Sequence, residues 1–356
     1  MIWIDITDPK YAVFFSKMVP LWHKKGYKTL ITTRYSEDYK EPSKILALNG
    51  IKHKIIGKYG GISKKDKFLS RIERQKGFTE LFEKEGYPKI HLSGASVEGI
   101  QTASALGIAS VNFADTPLRN YIFNYDDITF VSRLTFALST LIFRPFVIPQ
   151  EIYVKAGADP KKIKEYGFID ICLWMKEIKK DKTKDFRDRF DLDKNRYTVL
   201  VREEEFKANY VKEKLDILYD LTKKISKNID ANIVIMPRYE SDHLYHLFGK
   251  DKNITILEEK IMPEEFYPFI DLLIGGGGTM NLEAAYMGIP TISTRSFLLF
   301  HDKYLIDNNL IKWTDDANKG LLFAKEMIGK RFDNKRFFCQ DKCEFEKITK
   351  EIERLL

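Results

Sequence analysis

Three cysteines in 356 residues, Cys172, Cys339 and Cys343, are too few and too scattered for a disulfide framework. Cys339 and Cys343 lie close, but no second His or Cys pair joins them at zinc spacing, so no metal site is expected. Long apolar runs are missing too. The longest, LTFALSTLIF between Arg133 and Arg144, is about half of what spans a bilayer. The opening MIWIDI is strand-like and has no basic n-region, so no secretory leader is expected. No fixed period repeats along the chain. No helix-turn-helix, zinc or RNP-like signature is present, which argues against a nucleic-acid partner. These absences describe a reduced, cytoplasmic protein, at most peripheral to the inner face of the cell membrane.

What is present suits packed cores. The apolar fraction is 44% and the aromatic fraction 13%, so disorder is not expected. The net charge of +8 fits anionic partners such as nucleotides or an acidic lipid surface. Short β-branched runs alternate with helical ones: MIWIDI, YKTLITT, KHKIIG, PKIHLSG and IASVNFAD read as strands. A stretch dominated by charge, Lys176 to Asn195, reads as a linker or exposed helix, and the Asp191–Asp193 pair within it is not read as a metal site. The alternation then restarts with RYTVLV, a long amphipathic helix in ANYVKEKLDILYDLTKKISKN, and the strands ANIVIMPR, NITIL, IDLLIGG and PTIST. The expectation is α/β architecture in two halves with a cleft between them, divided as residues 1–165, 166–335 and a terminal segment 336–356.

In open α/β sheets ligands bind beyond the C-terminal strand ends. Gly275 to Gly278 lie at such an end, between an apolar strand and the helical stretch TMNLEAAYMG, which Gly288 and Pro290 stop. A helix start offers unpaired N–H groups and partial positive charge, and glycine lets a diphosphate approach the backbone. Thr279 joins this set. Glu283, about one turn inside, can accept both hydroxyls of a ribose. A capping box would need its Ser or Thr three residues before Glu283, where Met280 stands instead.

GGGGTMNLEAAYMGIPTIS resembles the nucleotide-binding βαβ unit of GT-B glycosyltransferases and of UDP-N-acetylglucosamine 2-epimerases. Over nearly its whole length the chain is more similar to a largely archaeal, uncharacterised group, the domain of unknown function 354 family. WIDITDP with FF after it, HLSGASVEG, SRLTFALST, VLVREE, VIMPR, GGGTMNLEAA and DKYLI carry that likeness. It implies a GT-B-like fold: two Rossmann-like domains whose parallel sheets face a central cleft, nucleotide on the second, acceptor on the first. It also implies that the final helix, in CEFEKITKEIERLL, returns to the first domain.

The epimerase resemblance implies an acid after HLSG, where Ala95 stands, and a His in IMPRYE, where Arg238 stands. Neither replacement transfers protons at working pH. Glycosyl transfer is therefore the leading expectation, with a nucleoside-diphosphate sugar as donor, a uridine one favoured, and no tightly bound cofactor. Gly275 to Gly278 and Thr279 would hold the leaving diphosphate, and Arg202, Arg238 and Lys303 would supply positive charge. HDKYLIDNN resembles the loop that binds the donor sugar, which makes Asp302 a candidate for its hydroxyls. The base is the open position. Tyr11 stands where related transferases often have a His, and its ordinary pKa near 10 makes it a poor one. Among Asp5, Asp8 and Asp115 the first choice is Asp8, which equally reads as a helix cap. His91 and His301 read as structural. The alternatives are a 2-epimerase-like enzyme or a non-catalytic nucleotide-binding protein.

Lys58 to Lys76 hold seven Lys or Arg and two acids, with Phe68, Leu69 and Ile72 as an apolar stripe. That suits an anionic membrane surface and a lipid-linked acceptor, or else a solvated helix.

Overall fold

The structure is a computed structural model that describes residues 1–37, 39–61, 63–94, 96–204, 217–238, 240–340, 342 and 344–356. The chain forms two units. Unit 1 is Met1–Trp174 with Asp341–Leu356, and unit 2 is Met175–Gln340.

Unit 1 is built on a seven-stranded sheet: β1 (Ile2–Ile6), β2 (Thr29–Thr33), β3 (Lys54–Ile55), β4 (Ile90–Ser93), β5 (Ala109–Phe113), β6 (Leu141–Pro145) and β7 (Ile163–Tyr166). The order is β3-β2-β1-β4-β5-β6-β7, and every pairing is parallel. All five residues of β1 are buried, as a central parallel strand covered on both faces requires. The helix Lys64–Glu85 brings Phe78 and Phe82 edge-on to Trp3, at 4.7 and 4.9 Å between ring centres. The chain end returns here. Phe345 packs on Phe14 at 5.0 Å, Ile348 and Ile352 of the helix Glu346–Glu353 are buried, and Glu353 meets Lys25 at 2.8 Å. β6 takes up the end of the longest apolar run, LTFALSTLIF. A strand buried on both faces has no alternation to reveal it.

Unit 2 repeats the plan with six strands: β8 (Tyr197–Arg202), β9 (Ala231–Met236), β10 (Ile254–Ile256), β11 (Leu272–Gly275), β12 (Thr291–Ser293) and β13 (Lys312–Trp313). Their order is β10-β9-β8-β11-β12-β13, again wholly parallel. Val199, Val201, Ile233, Ile235, Leu272 and Ile274 meet Leu221 and Ile225 in one core. The charged stretch after Trp174 is anchored in this unit. Phe186 is buried, Arg187 lies 5.5 Å from the Phe269 ring centre, and Arg189 pairs with Glu259 and Glu265. Of the long amphipathic helix, Ile217–Asn228 is present, and its expected first part lies outside the described residues.

Two doubly wound parallel sheets of this order are two Rossmann-like domains, a GT-B-like fold. Among the described residues no helix is long and apolar enough to cross a membrane.

Candidate functional site

The strand order of unit 2 reverses between β8 and β11, and ligands of such sheets bind at this switch point. Arg202 ends β8 and Gly275 ends β11, side by side in register. The four glycines divide into two pairs. A Cβ on Gly275 would sit 2.1 Å from the Asn281 Oδ1, and one on Gly276 would sit 2.5 Å from Glu204 Cβ and 2.8 Å from its backbone nitrogen. These two are small because the strand and helix close upon them. Among the described residues a Cβ on Gly277 meets only Arg202 Cγ, at 3.6 Å, and one on Gly278 would come within 2.9 Å of an Arg295 guanidinium nitrogen, its three nearest atoms all belonging to that guanidinium. This second pair opens the helix start. Gly277 is the N-cap of the helix Gly278–Tyr286 and offers no side chain to its N–H groups. Gly288, at φ +70°, ends the turn after it, and a Cβ there would strike the Phe332 carbonyl oxygen at 1.9 Å.

A cavity of about 240 Å³ lies over this helix start. Gly276 to Met280 form one wall, and Arg202, Arg238, Arg295, Glu204 and Phe297 the rest. Three guanidiniums around a helix N-terminus give this wall a strongly positive character, which a multiply charged anion would complement. Arg202 donates to the Met236 carbonyl at 3.2 Å and to that of Pro237, which fixes it across the end of β9. Arg295 is buried, pairs with Asp302, and stacks 4.3 Å from the Phe297 ring centre. Its Nε is buried and has no hydrogen-bond partner among the described residues. Glu204 accepts from the Ser296 N–H and Oγ, both at 2.9 Å. Burial pushes its carboxyl above the usual range, against the pull of Ser296 and Arg295.

Glu283 is buried one turn into the helix and accepts from the Tyr267 hydroxyl at 2.6 Å. Asp302 reaches the cavity only through Arg295. It is buried and accepts from the Leu299 N–H at 2.8 Å, so it holds the guanidinium and caps its own helix. Lys303 pairs with Asp307 on the same helix and does not line the cavity. Arg295 and Glu204 stood at strand ends in the sequence without an assigned role. Nothing in linear spacing shows that β8 and β12 deliver them to one place. Glu203 turns away to accept from Tyr219, from His243 at 2.9 Å and from the Arg238 N–H at 3.0 Å. Burial would raise its carboxyl, but those donors hold it below the usual range.

The expected catalytic carboxylates belong to unit 1. Asp8 caps the helix Pro9–Lys24 through the Lys10 N–H at 2.9 Å. Asp115 pairs with Lys10, which also meets Asp170 at 2.5 Å, and accepts from Tyr11 at 3.2 Å. Burial alone would lower the Lys10 ammonium, but the two aspartates hold it above its ordinary value. Burial and the same carboxylates push the Tyr11 hydroxyl well up, so it stays protonated. Asp5 is wholly buried. It accepts from Arg74 at 2.7 Å, Ser96 at 2.6 Å and Thr32 at 2.7 Å, a structural anchor for β1. His91 is buried against Trp3 at 4.1 Å, and burial lowers its pKa to about 3, so it is neutral packing. His301 is buried as well. Ala95 lies outside the described residues. A shallower hollow of about 450 Å³ in unit 1 is lined by Asn120, Ile122, Phe123, Asn124, Tyr125 and Asp127, none of them a cation. Among the described residues no group of His, Cys, Asp and Glu could hold a metal ion.

The fold has solved counterparts. The UDP-GlcNAc 2-epimerase of Methanocaldococcus jannaschii superposes with a TM-score of 0.71 at 17% identity, over 99% of this chain and 100% of the other. The UDP-GlcNAc 2-epimerase of Neisseria meningitidis, bound to UDP-GlcNAc, gives 0.75 at 13% identity, over 99% of each chain. At such identities the likeness is one of fold. An uncharacterised protein of Methanocaldococcus jannaschii is 28% identical over 342 residues, covering 93% of this chain and 92% of that one. Residues 1–351 match the family described as "Protein of unknown function (DUF354)", and the chain belongs to that family.

Proposed function

We propose that this protein is a nucleoside-diphosphate-sugar enzyme, and that its leading reaction is epimerisation of a uridine diphosphate sugar of the UDP-GlcNAc type. The observation that carries the binding half is the cavity of unit 2, where Gly277 and Gly278 open a helix start among Arg202, Arg238 and Arg295. A diphosphate seated there puts its ribose along the first turn, toward Glu283. The full-length likeness to 2-epimerase structures, one of them bound to UDP-GlcNAc, favours that sugar nucleotide and that reaction. Asp115, oriented by Lys10 and Tyr11, is the carboxylate of unit 1 to which this reading assigns proton transfer. Asp8 is the second choice, because its Oδ1 already caps a helix.

Glycosyl transfer is the second reading, and Arg238 favours it. A guanidinium beside the phosphates stabilises a leaving diphosphate and does not take a proton. A lipid-linked acceptor fits the exposed Phe68, Leu69 and Ile72 of unit 1.

Incubation with UDP-GlcNAc in deuterated water separates the readings. Deuterium at the sugar C2 with appearance of the 2-epimer supports epimerisation. Release of UDP without label supports transfer or hydrolysis. Binding without turnover leaves a nucleotide-binding protein, and absence of UDP binding removes the pocket assignment altogether.

A further inference from the structure

We propose that unit 1 carries a separate site for a phosphomonoester group, formed by Arg34, Lys67 and Arg71 beside the stacked pair Tyr39–Tyr59. The site does not depend on the reading of the unit 2 cavity. Arg34 follows β2, Tyr59 follows β3, and Lys67 and Arg71 lie one turn apart on the helix Lys64–Glu85. This is the C-terminal edge of the sheet, where ligands of such folds sit. Tyr39 and Tyr59 stack at 4.3 Å and 13°. The Arg34 guanidinium lies 5.1 and 4.9 Å from their ring centres, and Lys67 Nζ lies 5.7 Å from that of Tyr59. Arg71 is held at 4.7 Å from the Phe130 ring centre. The loop carrying Tyr59 is pinned to the helix, since a Cβ on Gly60 would come within 2.9 Å of Asp66 O and Lys67 Cα.

The nearby carboxylates, among the described residues, are already engaged. Glu98 meets Arg74 at 2.8 Å and Arg34 only at 3.9 Å, while Asp5 accepts from Arg74, Ser96 and Thr32. Asp8 reaches Arg34 electrostatically, but its Oδ1 caps a helix. Among the described residues the buried Arg34 Nε has no hydrogen-bond partner. Partial burial, then the charges of Arg34 and Arg71, push the Lys67 ammonium below its ordinary value. Partial burial and Arg34 do the same to Arg71, against the opposing pull of Glu98. The cations repel one another, and an entering anion relieves all three contacts. Arg34 donates from one Nη to the Thr7 carbonyl at 3.2 Å and leaves its Nε for the site; with the Arg71 fork and the Lys67 ammonium it suits three oxygens and a charge of about −1.5 to −2. A carboxylate brings two oxygens and one charge, and leaves part of the repulsion in place.

The phosphomonoester is either that of a soluble metabolite or that of a lipid headgroup, and two arms distinguish them. In the first, glycerol phosphate is titrated calorimetrically into the full chain with the unit 2 cavity saturated by UDP. In the second, the full chain is sedimented with phosphatidylcholine vesicles, with and without phosphatidic acid. The double variant Lys67→Gln, Arg71→Gln changes only partly exposed side chains and preserves the fold, which thermal melting verifies. We expect it to weaken at least one arm by roughly tenfold or more. Loss in the first arm assigns a soluble ligand, and loss confined to the second assigns a headgroup. Binding unaltered in both arms, or absent from the wild type in both, overturns the inference. Gly277→Ala provides the cross-check. If it abolishes glycerol phosphate binding, the phosphate belongs to unit 2, and this inference falls while the cavity reading stands.

Discussion

Gly277→Ala adds one methyl group at the start of the helix Gly278–Tyr286 and disturbs little else. The backbone there, at φ −96° and ψ 121°, is open to any L-residue. The nearest neighbour of the new carbon would be Arg202 Cγ at 3.6 Å, an ordinary contact. Exchanging a glycine N-cap for alanine costs about 1 kcal/mol. For a unit of this size that lowers the melting temperature by roughly 2–4 °C. Binding should suffer far more. The methyl stands where a diphosphate oxygen would meet the helix N–H groups, and each such charge-assisted bond contributes about 1.5–3 kcal/mol. Loss of one weakens UDP by roughly ten- to a hundredfold. Gly276→Ala is the contrast, because its Cβ would lie 2.8 Å from a backbone nitrogen that cannot move aside. That variant should lose stability first. Calorimetric titration with UDP and thermal melting on both variants give the comparison. If Gly277→Ala binds UDP as the wild type does, the phosphates do not sit on this helix start.

Glu283→Gln should weaken uridine ribonucleotides by roughly ten- to a hundredfold and 2′-deoxy analogues much less; equal losses in calorimetry would assign Glu283 to the fold, with Tyr267. Burial raises the folded Glu204 carboxyl, so a diphosphate beside it should take up a proton, and UDP affinity should fall as pH rises through that raised pKa. The same raised pKa makes stability fall as pH rises from the unfolded value through the folded one. Glu204→Gln should abolish the proton uptake that titration in buffers of differing ionisation enthalpy detects, and uptake persisting in the variant would assign the proton elsewhere. Arg74→Ala leaves Asp5 and Glu98 buried without their cation and should cost about 3–5 kcal/mol in urea unfolding. An unchanged midpoint would mean that this cluster does not anchor β1. Lys64→Glu with Lys65→Glu should reduce sedimentation with anionic vesicles at low salt, and unchanged sedimentation would remove the membrane reading of the stripe Phe68, Leu69 and Ile72.

Much of the architecture was legible in local pattern. β1, β2, β4, β5, β8, β9 and β11 are short apolar, mostly β-branched runs, each set off by turn residues or by a helix of different period. The glycine run announced a helix start because glycine and helix termini act locally. β6, β7 and β13 escaped notice for opposite reasons. β6 hides in a longer apolar run, and β7 and β13 are short strands with charged residues. Distinguishing a carboxylate that meets substrate from one that holds the fold was beyond local reading. Asp8 and Asp115 follow strand ends and Asp5 lies within β1, yet Asp5 is sealed under Arg74, Asp8 caps a helix, and Asp115 pairs with Lys10.

The sequence by itself determined the α/β alternation, the helix start at the glycines and the basic face of residues 58–76, because each depends on neighbours in the chain. Only the tertiary structure decided that Gly275 and Gly276 are closed in by Asn281 and Glu204 while Gly277 has room for a side chain, since the atoms around them come from distant parts of the chain. It also decided that Asp302 is bound to Arg295, and that Arg34 and Lys67 both lie against the Tyr59 ring. A parallel sheet places strand ends side by side that lie tens of residues apart. Charge, burial and hydrogen bonding at those ends are properties of the assembled sheet, and no stretch of chain contains them alone.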